Sequence, residues 1–210
     1  MNPVFLYGEI DLPPIPPELI IDTNNFSLEK WHTVGNGRPF TKNNKVKKSC
    51  VYAKWTVNYN PLINWIKNNV PAWPEHENLT IQKNLPNEND KDTLFPIHYD
   101  VRRMFALNYI LNVGGESVIT SWFKHLNKPM LYGLHKTVEQ PFRYEEVELL
   151  DSMQAHKGKW YLLRTNVLHD VDHIDSIRSA ITIPYFDENI ITQFKQRNLF
   201  KNIKEIDHIE

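Results

Sequence analysis

A chain of 210 residues with one cysteine, Cys50, has no internal disulfide framework, which excludes the small stapled scaffolds of secreted proteins. A lone thiol can be a nucleophile, but no elbow or motif surrounds this one, and a bystander role is favoured. Glycine is scarce at seven residues, and there are no repeats, heptads or low-complexity tracts. No apolar run approaches the ~20 residues that a membrane span needs. The start, Met1 to Glu9, lacks the basic flank and long apolar core of a signal peptide, so the expectation is a soluble, cytoplasmic protein. Neither sign of charge is in excess: 24 Lys and Arg against 25 Asp and Glu give a net charge of −1 and a pI near 6.8. That argues against a protein held on nucleic acid or membrane by bulk charge and favours a small-molecule or peptide substrate.

What is present suits an ordinary folded chain: 41% hydrophobic and 23% charged residues, close to globular averages. The lean towards Asn, Lys and Ile is that of AT-rich genomes, phage among them. A single domain is expected, in three parts. Residues 1–93 read as an N-terminal extension of helix and loops, 94–185 as a β-barrel core, and 186–210 as a C-terminal helical segment.

In the first part, the prolines of residues 11–17 prohibit a helix interior or central strand. They predict an extended arm anchored by Leu12 and Ile15. Residues 33–48 read as a loop with a basic patch at Lys45, Lys47 and Lys48. A helix is predicted over 60–69, capped by Asn60 with Pro61 at its first position. Residues 86–92 read as a polar turn. From Leu94 onward, short β-type runs are separated by turns: 95–99, 104–111, 117–123, 144–150, 160–165, 167–174 and 177–185. Gly114-Gly115 reads as the turn of a hairpin between the second and third of these. So many short strands predict a mainly β, jelly-roll or cupin-like barrel with flanking helices.

The chemistry-bearing pattern is His98-Tyr99-Asp100, then His169, then Arg178. Side chains alternate along an extended segment, so His98 and Asp100 reach one side together. His169 lies 69 residues beyond Asp100, enough chain for it to return across a barrel. Two imidazoles and one carboxylate occupy one face of a metal's coordination sphere and leave positions open, the ligand set of non-haem Fe(II) oxygenases. His-x-Asp alone is common by chance among nine histidines. The joint pattern is much rarer: an apolar lead-in, a β-rich middle, and Asn166-Val167-Leu168-His169 ahead of Arg178-Ser179-Ala180-Ile181. Arg178, on an apolar strand, needs an anionic partner, and Thr182 on the same face can add a hydroxyl.

Several neighbours compete. His173 lies four residues after His169 and is an alternative ligand. Asp170 and Asp172 point away from the His169 face and read as supporting or surface groups. Of Arg102 and Arg103, one is a candidate for an anionic ligand and the other reads as solvated. His125, His135 and His156 read as bystanders. Asn108 and Trp122, on strands read as neighbours, are equally candidates for a pocket wall or the core. Trp31, Trp55, Trp65 and Trp73 are candidates for a stacking wall, but aromatics are more often core.

Through residues 98–111, 166–169 and 178–181 the sequence resembles the Fe(II)/2-oxoglutarate-dependent dioxygenases. The similarity is to the small phage and bacterial oxygenases related to phytanoyl-CoA and aspartyl/asparaginyl hydroxylases. The resemblance covers roughly residues 94–185. It implies a double-stranded β-helix, Fe(II) on His98, Asp100 and His169, and 2-oxoglutarate on Arg178, with Thr182 and Asn108 as further candidate contacts. It also implies hydroxylation of a C–H bond by O2 with release of succinate and CO2. Members often carry serine two residues after the arginine, where this chain has Ala180. Asp100 argues against the halogenating relatives, which have a small residue there. Two other readings are a non-catalytic cupin-like binding module and a different metalloenzyme on the same barrel.

Overall fold

The computed structural model describes residues 3–21, 32–33, 40–74, 79–86, 92–100, 103–130 and 142–207. In chain order the elements are β1 (Val4–Ile10), β2 (His32–Thr33), β3 (Phe40–Lys42), β4 (Lys45–Lys47), β5 (Val51–Thr56), α1 (Asn60–Asn69), β6 (Thr80–Leu85), β7 (Thr93–His98), β8 (Phe105–Val113), β9 (Ile119–His125), β10 (Val147–Met153), β11 (Trp160–Arg164), β12 (Leu168–Ile174), β13 (Arg178–Tyr185), α2 (Asn189–Gln196) and β14 (Phe200–Ile206).

The strands form an eight-stranded sheet, ordered β14-β1-β11-β8-β13-β6-β5-β2, and a four-stranded sheet, β10-β9-β12-β7. Every pairing within them is antiparallel. From β6 to β13 the chain passes from one sheet to the other at each step, except for the hairpin of β9 and β10. This is the double-stranded β-helix, a mainly β jelly roll.

Alternation along the strands divides the core into layers. One face of the large sheet presents Ile81, Leu107, Leu162, Ile181 and Ile183 to Leu62 and Ile66 of α1 and to Ile190 and Phe194 of α2. Its other face presents Leu6, Ile110, Tyr161 and Leu163 to Trp122 and Met153 of the small sheet. The barrel interior lies between the two sheets. The proline-rich arm lies against the helix-covered layer: Ile15 is buried there, Leu12 packs beside it, and the Trp160 indole N–H donates to the Pro13 carbonyl over 2.9 Å. No helix among the described residues is long and apolar enough to cross a membrane.

The structure departs from the sequence expectations in five places. The barrel begins at β6 rather than near residue 94, and β1 and β5 extend its large sheet, so the first 93 residues are more than helix and loops. Residues 186–210 are not wholly helical. After α2, β14 pairs with β1, because Leu199, Phe200 and Ile203 are too few to distinguish a helical period from strand pairing. Gly114-Gly115 turns the chain from one sheet to the other, since β8 pairs with β11 and β13 while β9 pairs with β10 and β12. Tyr59, not Asn60, occupies the cap of α1, without a side-chain hydrogen bond. Residues 40–47, read as loop, form the β3–β4 hairpin. Most of the polar turn at 86–92 lies outside the described residues.

Candidate metal centre

Two neighbouring strands of the small sheet and the end of one of them build the site. His98 ends β7 and stands opposite His169 of β12 in the ladder, with ring centroids 4.2 Å apart. Asp100 follows just beyond β7, where its backbone N–H donates to the Thr165 carbonyl over 2.7 Å. One ligand atom from each of His98, Asp100 and His169 lies within 4.8 Å of the other two. His169 is buried, and His98 and Asp100 are half-buried.

Both imidazoles are held in the same way. His98 Nδ1 lies 2.8 Å from the Pro96 carbonyl and His169 Nδ1 lies 2.9 Å from the Val167 carbonyl, each two residues upstream. A carbonyl oxygen only accepts, so each Nδ1 carries the hydrogen and each Nε2 keeps a free lone pair. Burial, with the other imidazole beside it, pushes His98 down to about 3, and burial lowers His169 as well. Burial opposes the charge on Asp100, but Arg103 above all, and then the two imidazoles, hold its carboxyl below the usual carboxylate range. The group therefore offers two neutral imidazoles and a carboxylate at neutral pH, a donor set that fits a divalent cation.

Arg103 is the residue that the sequence left undecided. Its Nε donates to Asp100 Oδ2 over 2.6 Å, and its buried Nη1 has no hydrogen-bond partner among the described residues. Arg102 lies outside them.

Arg178 stands on the interior face of β13, opposite Asn84 of β6, and its Nη2 reaches Thr120 Oγ1 of the small sheet at 3.4 Å. Among the described residues no carboxylate lies within ion-pair distance of it. Burial pulls it down to about 10, which leaves it charged at neutral pH. The hydroxyl that meets Arg178 is thus that of Thr120, on the facing sheet. Thr182 is buried four residues further along β13, about 13 Å away at strand rise, where it stands opposite Asn108 of β8. Asn108 presents a buried Oδ1 with no hydrogen-bond partner among the described residues. Cys50, buried next to the Arg178 region, accepts a 3.7 Å contact from Asn84 Nδ2, and burial pushes its thiol up to about 12. It remains protonated.

The competing residues fall elsewhere. His173 has φ +61, at an irregularity in the β12–β7 ladder between Val171 and Ile174, and its side chain is 42% exposed with Nδ1 2.9 Å from Asp92 Oδ1. With Asp92 and Asp172 it forms a second cluster, bridged by Lys47 Nζ at 2.9 Å from Asp92 and 2.6 Å from Asp172. Asp170 and Asp172 do lie on the opposite face of β12 from His169. Rather than surface groups they are buried, and Lys42 of β3 bonds Asp170 at 2.6 Å and Asp172 at 2.9 Å. Tyr144 adds an O–H bond to Asp170 at 2.8 Å. Lys47 therefore faces inward and does not join an exposed basic patch with Lys45 and Lys48.

Trp122 stands opposite His169 in the ladder of β9 and β12, fully buried, with its indole N–H on the Arg164 carbonyl at 2.9 Å. It and Asn108 lie on facing sheets, not adjacent strands. Trp65 and Trp73 pack in the helix-covered layer, and Trp55 stands opposite Ile81 of that layer, so these three do not line the site. His156 bonds the Tyr161 hydroxyl at 3.2 Å, and His125 Nδ1 accepts from the Asn127 amide at 3.0 Å. Trp31 and His135 lie outside the described residues.

No protein-family model matches the chain, and no curated protein sequence matches it. Two solved structures of YcfD from Escherichia coli are similar to it at 12% identity. One has a TM-score of 0.42, over 86% of this chain and 49% of that one. The other, described as the ribosomal oxygenase YcfD, has 0.37, over 82% and 47%. The chain thus spans about half the length of these proteins, and a likeness this distant adds nothing to what the strand order and side chains carry.

Proposed function

We propose that the chain is an Fe(II)- and 2-oxoglutarate-dependent dioxygenase. In this reading it hydroxylates a C–H bond of a small-molecule or peptide substrate, with 2-oxoglutarate and O2 consumed and succinate and CO2 released. The observation that carries the reading is the convergence of His98, Asp100 and His169 with both Nδ1 atoms tied to carbonyls. Such tethering fixes each ring's tautomer and direction before any ion arrives. Bound Fe(II), with 2-oxoglutarate and O2, supplies the oxidising chemistry.

The chain's own residues position and enclose. His98 and His169 present Nε2 lone pairs, and Asp100 presents a carboxylate that Arg103 keeps ionised. Arg178 grips the distal carboxylate of 2-oxoglutarate through its planar fork, with Thr120 holding the guanidinium in direction. Asn108 Oδ1 and Thr182 offer polar atoms on the same interior face. Phe95, which packs on the His98 ring at 4.5 Å, Val171 and Trp122 supply an apolar wall that keeps water from the reacting centre. The lack of a protein carboxylate on Arg178 among the described residues supports a cosubstrate over a structural ion pair, and so favours this reading over another metalloenzyme on the barrel.

The test is Fe(II)-dependent conversion of 2-oxoglutarate to succinate, followed by proton NMR, with His98→Ala and Asp100→Ala as controls. Succinate formed by the wild type and absent from both variants supports the proposal. No succinate above the controls, together with no calorimetric 2-oxoglutarate binding in the presence of Mn(II), ends it.

A further inference from the structure

Arg103 is more fully equipped than holding Asp100 requires. Its main chain is fixed: the Arg103 carbonyl accepts from Thr165 Oγ1 at 3.2 Å, and the adjoining Met104 bonds Thr165 and Tyr185 through its carbonyl and N–H. Its side chain folds back so that Nε meets Asp100 Oδ2 at 2.6 Å. A guanidinium carries five N–H donors in a rigid fork, and one bond to a carboxylate leaves the rest to be placed. Nη1 is buried without a partner among the described residues, and buried donors on a charged group are normally bonded. Asp100 stands within 4.8 Å of a ligand atom of each imidazole, so its bond to Asp100 brings Arg103 up to the ligand cluster.

Charge counting indicates what fills the open donor. Asp100 and Arg103 cancel, and the two imidazoles are neutral. A divalent ion and the Arg178 cation then leave three positive charges, of which 2-oxoglutarate neutralises two. One positive charge remains beside the metal position, in surroundings that disfavour uncompensated charge. We propose that Arg103 recognises a carboxylate of the substrate, its Nε fixed on Asp100 and its unpartnered Nη1 supplying the new bond. The substrate is therefore an acid. This inference rests on the dioxygenase reading and makes Arg103 a specificity residue within it.

The experiment uses the full chain loaded with Mn(II) and saturated with 2-oxoglutarate, and reads paramagnetic relaxation of three probes: acetate, its neutral isostere acetamide, and inorganic phosphate. Acetate is expected to relax about fivefold or more faster than acetamide, since charge-assisted hydrogen bonds are roughly twice as strong as neutral ones. Arg103→Gln abolishes that preference while Mn(II) affinity falls by no more than about 100-fold, the range for a residue supporting a metal ligand. Arg103→Lys, which keeps a charge for Asp100 but lacks the fork, decides the matter if Arg103→Gln no longer holds Mn(II); it is expected to retain the metal and lose most of the acetate preference. An acetate preference that persists in the variants, one absent from the wild type, or relaxation of phosphate in place of acetate would overturn the proposal. Failure of the wild type to bind Mn(II) would instead overturn the metal reading itself.

Discussion

His98 and His169 face each other across the β7–β12 ladder with ring centroids 4.2 Å apart, each tied through Nδ1 to the carbonyl two residues upstream. Both rings are therefore oriented by local backbone bonds and do not depend on an ion for their direction. His98→Ala and His169→Ala should each fold with the wild-type circular dichroism spectrum yet lose Mn(II) affinity by more than about 100-fold, since residues that merely support ligands already account for 10–100-fold. Calorimetry with Mn(II) checks this. An unfolded variant would show that the rings are structural.

Arg178 is a half-buried cation with only a 3.4 Å hydroxyl contact described for it. Arg178→Met removes an uncompensated charge, so the variant should be as stable as the wild type or more so, by up to about 1 kcal/mol. Its 2-oxoglutarate affinity should fall by about 2–5 kcal/mol. Thermal unfolding together with 2-oxoglutarate titration reads both. A marked loss of stability would mean that Arg178 has a structural anion.

Gly114 takes φ +89, and a Cβ there would lie 2.7 Å from the Arg178 Cβ. Gly114→Ala should destabilise by about 1–2 kcal/mol from the left-handed backbone alone. It should also displace Arg178 and weaken 2-oxoglutarate binding, leaving Mn(II) affinity unchanged. Parallel titrations of the two ligands separate the effects.

Lys42 and Lys47 clamp the β3–β4 hairpin onto β12 through Asp170 and Asp172. Lys42→Met leaves buried carboxylates short of a cation and should cost about 3–5 kcal/mol in urea unfolding. Burial pushes the Asp172 carboxyl up, but hydrogen bonds from Lys47 and Lys42 prevail and hold it below the usual carboxylate range. Its contribution to stability is present above the ordinary Asp pKa and lost as pH falls through the lowered folded value. Lys47→Met should accordingly move the acid-unfolding midpoint to higher pH. An unchanged midpoint would remove the clamp from the acid stability of the protein.

Much of the barrel was legible because strand alternation is a local property. The seven runs read between residues 95 and 185 each coincide with one of β7 to β13 to within a few residues, and the His98, Asp100 and His169 set was readable from residue type and spacing. β6 escaped notice because Thr80 to Leu85 mixes polar and apolar residues without clean alternation. β14 escaped because its apolar residues suit a helix equally well. Arg103 was ambiguous from sequence, since nothing local distinguishes an arginine folded onto Asp100 from a solvated one.

The sequence by itself determined the strand periodicity, the residue types of the candidate metal ligands and the lack of a second cysteine or a long apolar run, because each follows from a residue and its near neighbours. Tertiary structure alone decided which strands share a sheet, and so that the glycine turn crosses between sheets. It decided that Thr120 of the facing sheet meets Arg178, and that Asp170 and Asp172 are buried under lysines. Those are contacts between segments far apart in the chain, and they depend on how two sheets stack, which no local pattern encodes.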